Sequence, residues 1–246
     1  MNAILDIVEA RLPDVQAERP VFWTALTAAY DSEPPPYGES WYGDLFRDYA
    51  HRSQWLADIL VLNAKKEADG ARQLWAFAGR IADRSIKDRV KQHAVDEARH
   101  ARFYISMLGL MFPESSTPEI LRELRSVAPD FTMADEPPEG EPASQEAMLD
   151  EIIQMNIGEI RTLINQMLMR PVVAAVTDDA NRDRAVRLLD SLGDDEARHI
   201  SYTADIIDEI GDRAMSVHYM TLRQREFNGI TTSELGLDSD RAPIFE

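Results

Sequence analysis

The chain predicts an all-α protein built on a bundle of four long helices, and three features of its 246 residues carry that expectation. Apolar residues recur at three- and four-residue steps through a proline-free stretch from 51 to 112. The pentapeptide Asp-Glu-Ala-Arg-His occurs twice, at 96–100 and again at 195–199. No segment alternates apolar and polar residues as a half-buried strand does.

Residues 1–52 hold two amphipathic fragments (Ile4, Leu5, Val8, Leu12, then Phe22, Trp23, Leu26, Tyr30), broken by Pro13, Pro20 and Pro34 to Pro36. They predict two short helices leading into the body of the protein. From 51 to 112 the spacing predicts a long helix, a turn and a second long helix, with Ser85 and Asp88 as a capping box opening the second. Residues 113–145 are rich in proline and acid, with one short helix at 120–127. A third long helix is expected from about 147 through Arg170, kinked or ended by Pro171. Asp178 or Asp179 then caps a fourth, running through His199 towards Ile210. A short fifth helix at 215–227 precedes a polar, loosely ordered tail. The chain reads as one domain over 1–246: an extension (1–52), the core bundle (53–211), and a terminal helix with tail (212–246).

Composition narrows the function classes. With 26 basic against 44 acidic residues the net charge is -18, which argues against a nucleic-acid partner. The absence of cysteine excludes disulfides, iron–sulfur clusters and thiol chemistry. The N-terminus lacks a basic then apolar leader, and no apolar run reaches the ~20 residues that span a bilayer. A cytoplasmic protein with no membrane partner is expected.

The repeated pentapeptide carries the chemistry. Each copy contains Glu-x-x-His, which on a helix sets a carboxylate and an imidazole one turn apart on one face. Metal pairs in helical bundles use two such motifs and two further glutamates. In a helical hairpin, residues level with each other lie equally far from the turn. A turn near residue 82 pairs Glu97 with Glu67, and a turn near 177–178 pairs Glu196 with Glu159. Glu97 lies 30 residues beyond Glu67 and Glu196 lies 37 beyond Glu159, a difference close to two helical turns. The crossover 113–145 is long enough to run the length of a bundle at roughly 3.3 Å per residue. Two hairpins joined by one long crossover is the ferritin-like arrangement, here with extra N- and C-terminal helices.

Glu67, Glu97-x-x-His100, Glu159 and Glu196-x-x-His199 resemble the ferritin-like di-iron carboxylate superfamily over residues 53–211. That superfamily includes ribonucleotide reductase small subunits, acyl-carrier desaturases, multicomponent monooxygenases, arylamine N-oxygenases, aldehyde-deformylating oxygenases and rubrerythrins. The resemblance implies that Glu67, Glu97 and His100 hold one metal and Glu159, Glu196 and His199 the other, with one or two glutamates bridging. Hard carboxylates with one imidazole each suit two iron ions, or manganese with iron, with dioxygen as co-substrate.

Around these ligands the resemblance suggests further roles. Asp96 and Asp195, directly before the ligand glutamates, would each accept a hydrogen bond from a ligand histidine, with Arg99 and Arg198 anchoring them. His93, one turn before Glu97, stands open between a seventh ligand and an ordinary buried histidine. Arylamine N-oxygenases carry such a histidine on their other motif helix. Tyr104 sits at the position of the radical tyrosine in ribonucleotide reductase small subunits, though Glu67 replaces their usual aspartate. It is either redox-active or an aromatic packing residue. Thr162 either hydrogen-bonds to oxygen species at the metals or bonds back to its own helix. Small and apolar positions beside the ligands, Ala64, Ala71, Leu163 and Leu192 among them, suit a dry pocket and an ordinary core equally.

The resemblance implies a non-haem oxygenase or oxidase acting on a small organic molecule by hydroxylation, N-oxygenation, desaturation or C–C cleavage. The alternative is iron oxidation or peroxide scavenging of the ferritin or rubrerythrin kind. Nothing in the chain binds flavin or nicotinamide, so an external electron donor or reductase is expected, and a homodimer fits a helical protein of this size.

Overall fold

The computed structural model describes residues 3–50, 52–114 and 116–234. Among them all regular structure is helical: α1 (Ala3–Arg11), α2 (Val15–Glu18), α3 (Pro20–Ser32), α4 (Ser40–Ala50), α5 (Ser53–Ala78), α6 (Arg84–Met111), α7 (Pro118–Arg125), α8 (Gln145–Val176), α9 (Arg182–Ile210) and α10 (Arg213–Glu234). A 3-10 turn, Pro36–Gly38, precedes α4. No helix among them is long and apolar enough to cross a membrane.

The four long helices stand where the periodicity puts them, and the local signals at their ends fare unevenly. Pro20 stands at a break between helices, as expected, and opens α3, because proline at the first helical position gives up only an N–H that has no helical partner. The cap of α6 is Asp83, whose side chain accepts from the Ile86 N–H at 3.0 Å, so Ser85 and Asp88 lie inside the helix and form no capping box. Of the two roles expected of Pro171, ending the helix is excluded, since it lies inside α8, which continues to Val176. Asp178 does organise the start of α9: its side chain accepts from the Asn181 N–H at 2.9 Å, and its carbonyl accepts from Arg182. The fifth expected helix is longer, running to Glu234; residues 235–246 of the expected tail lie outside the described residues.

The chain packs as two compact units, and both long helices of the second hairpin contribute to each. One unit comprises Arg47–Ala143 and Gln166–Asp195. Its frame is the α5–α6 hairpin, with the crossover laid along it. Arg72 donates to the Val127 carbonyl, and Phe131 stacks on Trp75 with centroids 4.5 Å apart. The Gly140 N–H reaches the Gly79 carbonyl at 3.1 Å, and the Ala143 N–H reaches that of Arg80 at 2.9 Å. The crossover therefore ends beside the α5–α6 turn.

Lys91, on α6, is buried yet charged, an arrangement tolerated only with partners. It has them in the crossover: Glu136 at 3.0 Å and the Met133 carbonyl at 3.3 Å, with the Trp75 ring beneath. Lys91 and then Lys87 hold the Glu136 carboxyl below its ordinary range. A depressed folded value means stabilisation that is present above the ordinary carboxylate range and is lost as pH falls through the folded value. Glu136→Gln should lower the melting temperature near neutral pH, and the gap to wild type should close in acid. Equal melting at every pH, followed by circular dichroism, would reject the clamp.

The other unit comprises Met1–Phe46, Ser144–Asn165 and Glu196–Glu246. Asp208 near the end of α9 accepts from the Val21 and Phe22 N–H groups at 3.0 and 2.9 Å, capping α3 from a distance. Arg19 pairs with Asp205 at 2.6 Å beside it. α10 runs parallel to the first half of α8 through Tyr219–Glu146, Arg223–Asp150 and Arg161–Glu234. Tyr30 and Tyr37 bury their hydroxyls 3.4 Å apart, and burial raises the pKa of both.

Candidate metal centre

The α5–α6 hairpin brings Glu67, Glu97 and His100 together, each offering a ligand atom within 4.8 Å of the others. All three are buried or nearly so. Glu97 Oε1 lies 3.3 Å from His100 Nδ1 and 3.3 Å from His93 Nε2, one turn to either side along α6. Burial pushes the Glu97 carboxyl up, but hydrogen bonds with Glu67, His100 and His93 outweigh it and leave Glu97 well below the usual carboxylate range. A carboxylate held ionised in a dry place needs positive charge or donors beside it.

The aspartate behind this trio comes from the other copy of the motif. Asp195 Oδ2 lies 3.0 Å from His100 Nε2. An ionised carboxylate only accepts, so Nε2 donates to Asp195, and Nδ1 is the ring atom turned towards Glu97. Arg99 joins the two aspartates, reaching Asp195 at 2.5 Å and Asp96 at 2.9 Å, while Gln92 donates to Asp96 at 3.1 Å. The Arg99 side chain is 42% exposed and its guanidinium lies over the Phe103 ring, so it spans from solvent to the buried carboxylates. Removing the acceptor by Asp195→Ala should weaken metal binding by roughly 10–100-fold, the usual cost of losing such a partner. Unchanged affinity in a metal titration would show that His100 needs no orientation.

The second trio assembles in the other unit. His199 Nδ1 lies 3.3 Å from Glu196 Oε2 and 3.5 Å from Glu159 Oε2, with Glu196 fully buried. As at His100, the Nδ1 edge faces the carboxylates.

These separations suit a metal ion. Ligands about 2.1 Å from a first-row cation, at angles between octahedral and tetrahedral, stand roughly 3.0–3.4 Å apart. Two glutamates, buried or half-buried, and one imidazole per trio are also the donor set a hard or borderline divalent ion takes.

The remaining candidates divide. His93, 1% exposed, joins Glu97 as described. Tyr104 is fully buried and its hydroxyl accepts from Gln166 Nε2 at 3.4 Å. Thr162 is half-buried on α8, one turn beyond Glu159. Arg198 lies exposed on α9. Gln92 and Gln166 were not singled out by the sequence. For Gln92 the signal was there, since it stands one turn before Asp96; for Gln166, 62 residues from Tyr104, it was not.

The described residues thus define an all-helical chain with buried glutamate–histidine groups that can hold metal. No protein-family model, curated protein or solved structure matches the chain.

Proposed function

We propose that the protein is a non-haem dinuclear iron oxygenase or oxidase that uses dioxygen to oxidise a small organic substrate. The observation that carries this reading is the pair of largely buried Glu/Glu/His trios, Glu67–Glu97–His100 and Glu159–Glu196–His199, built on the duplicated motif. Their glutamates and neutral imidazoles carry a formal charge that two divalent cations neutralise, and buried charge of that kind calls for such partners. Iron, when bound, supplies redox equivalents and open coordination positions for dioxygen chemistry.

The chain's own residues do the rest. Glu67, Glu97 and His100 would hold one ion and Glu159, Glu196 and His199 the other, with His93 as a further nitrogen ligand beside Glu97. Asp195 keeps His100 in the tautomer that presents Nδ1. Tyr104 and Thr162 remain the candidates for contact with the reacting groups. Electrons beyond those of the substrate come from an external reductant.

An anaerobic Fe(II) titration followed by rapid mixing with dioxygen tests the reading. Two irons per chain and an oxygen-dependent absorption change that persists until an organic substrate is added support it. Repeated conversion of excess Fe(II) to a ferric product favours iron handling instead. A wild-type chain that binds no iron overturns it.

A further inference from the structure

The trio Glu159–Glu196–His199 is drawn from two helices, so the position of one helix against the other decides whether its members meet. One buried hydrogen-bond group ties those helices at that level. Asn156, one turn before Glu159 on α8, donates from Nδ2 to Thr203 Oγ1 at 2.9 Å and to the Ile200 carbonyl at 3.2 Å. Thr203, one turn beyond His199 on α9, donates its hydroxyl hydrogen to the His199 carbonyl at 2.6 Å. Both side chains are 0% exposed. The roles are forced. A backbone carbonyl only accepts, so the amide must turn its NH2 towards Ile200, and the threonine hydrogen goes to a carbonyl, His199 at 2.6 Å or Ile200 at 3.1 Å, which leaves its oxygen to accept from Asn156. The Asn156 amide therefore has one orientation, and α8 has one register against α9 beside the ligands.

We propose that Asn156 and Thr203 are positioning residues for the metal: they hold Glu159 at the distance from His199 and Glu196 that an ion requires. The inference rests on the metal reading above and deepens it. A hydrophobic contact at this level would give comparable packing but would not fix register, because apolar contact is non-directional. The lock also acts on His199 itself, through the carbonyl of the residue that ligates. An asparagine and a threonine in a stretch that also buries Ile152, Ile153, Ile160 and Ile200 are otherwise costly choices.

The test uses Co(II) as probe, read by titration, by its visible ligand-field bands and by the shifted imidazole N–H resonance of His199. Thr203→Val keeps the shape and removes both the acceptor for Asn156 and the donor to His199. It should weaken one of the two Co(II) equivalents by roughly tenfold or more and alter its bands, in the range seen when groups behind a ligand are lost. Thr203→Ser keeps the hydroxyl and should restore affinity and bands. Asn156→Leu should match Thr203→Val, and the double variant should be no weaker than either alone, as for two halves of one device. Should Thr203→Val retain wild-type Co(II) affinity and bands while only its melting temperature falls, the pair is structural and the inference is wrong. Wild type that binds no Co(II) removes the metal reading, and this inference with it.

Discussion

Replacing Glu97 by alanine should abolish tight metal binding at the α5–α6 hairpin, a loss exceeding the roughly hundredfold that follows removal of a supporting partner. Glu97 is the residue on which the site converges: one oxygen meets both His93 and His100 at 3.3 Å, and Glu67 offers a carboxylate oxygen within 4.8 Å. No neighbouring side chain can substitute for it, because Glu67 reaches the group from α5 and the histidines from adjacent turns of α6. Glu97→Gln, which keeps the shape and removes the charge, should lose metal equally while retaining the helical signature. That variant separates loss of a ligand from loss of fold. Retention of wild-type Fe(II) stoichiometry and affinity by Glu97→Gln would show that the buried glutamates serve another purpose.

Gly79→Ala should produce the largest loss of stability from a single methyl group. A Cβ at Gly79 would stand 2.0 Å from the Pro138 carbonyl oxygen and 3.0 Å from its carbon, which are backbone atoms that no rotamer can move aside. The backbone there has an ordinary helical conformation, so glycine is required by the approach of the crossover and not by its own dihedral angles. Relieving the overlap means lifting the segment held by the Gly140–Gly79 and Ala143–Arg80 hydrogen bonds. The expected cost is about 1–3 kcal/mol, the range for overpacking, read as a lower denaturation midpoint in urea. Gly158→Ala is the natural contrast. Its Cβ would meet Phe227 at 3.6 Å, an ordinary contact, and mid-helix glycine is about 0.5–1 kcal/mol worse than alanine. The two substitutions should therefore have opposite signs, and a Gly79→Ala chain that unfolds with wild type would refute the docking of the crossover.

The parts of the molecule legible in the sequence are those governed by local periodicity. Glu67 and Glu97 could be matched because a hairpin with a short turn is almost a ruler: distance from the turn is set by residue count. The same counting placed Glu159 with Glu196, and the structure brings both to His199. The aspartates before the ligand glutamates could be assigned a purpose, yet which histidine each would serve was not readable. Asp195 serves His100, 95 residues away, and no periodic pattern encodes a contact of that range. The same limit hid Asp208 as the distant cap of α3, and Glu146 and Asp150 as partners of Tyr219 and Arg223, since each looks like an ordinary surface charge in sequence. Lys91 is the inverse case: nothing beside it in the sequence marks this lysine as buried, and it is the crossover that brings Glu136 to it. The cap of α6 was misplaced by two residues because Asp83 and Ser85 are both capping residues, and only the backbone shows which N–H lies within reach.

The partnership of His100 with Asp195 also bears on the order in which the protein assembles. Glu67, Glu97 and His100 come from one hairpin, so bringing them together closes a loop of some 30 residues, whereas Asp195 must return across 95. Closing the longer loop costs only about 1 kcal/mol more in chain entropy, but it requires the second hairpin to arrive. Contacts of short sequence separation form sooner than distant ones. A cation present while the chain folds would therefore meet the carboxylates and imidazole of the hairpin before the aspartate beside His100 is in place, and the final grip on such an ion would be completed last.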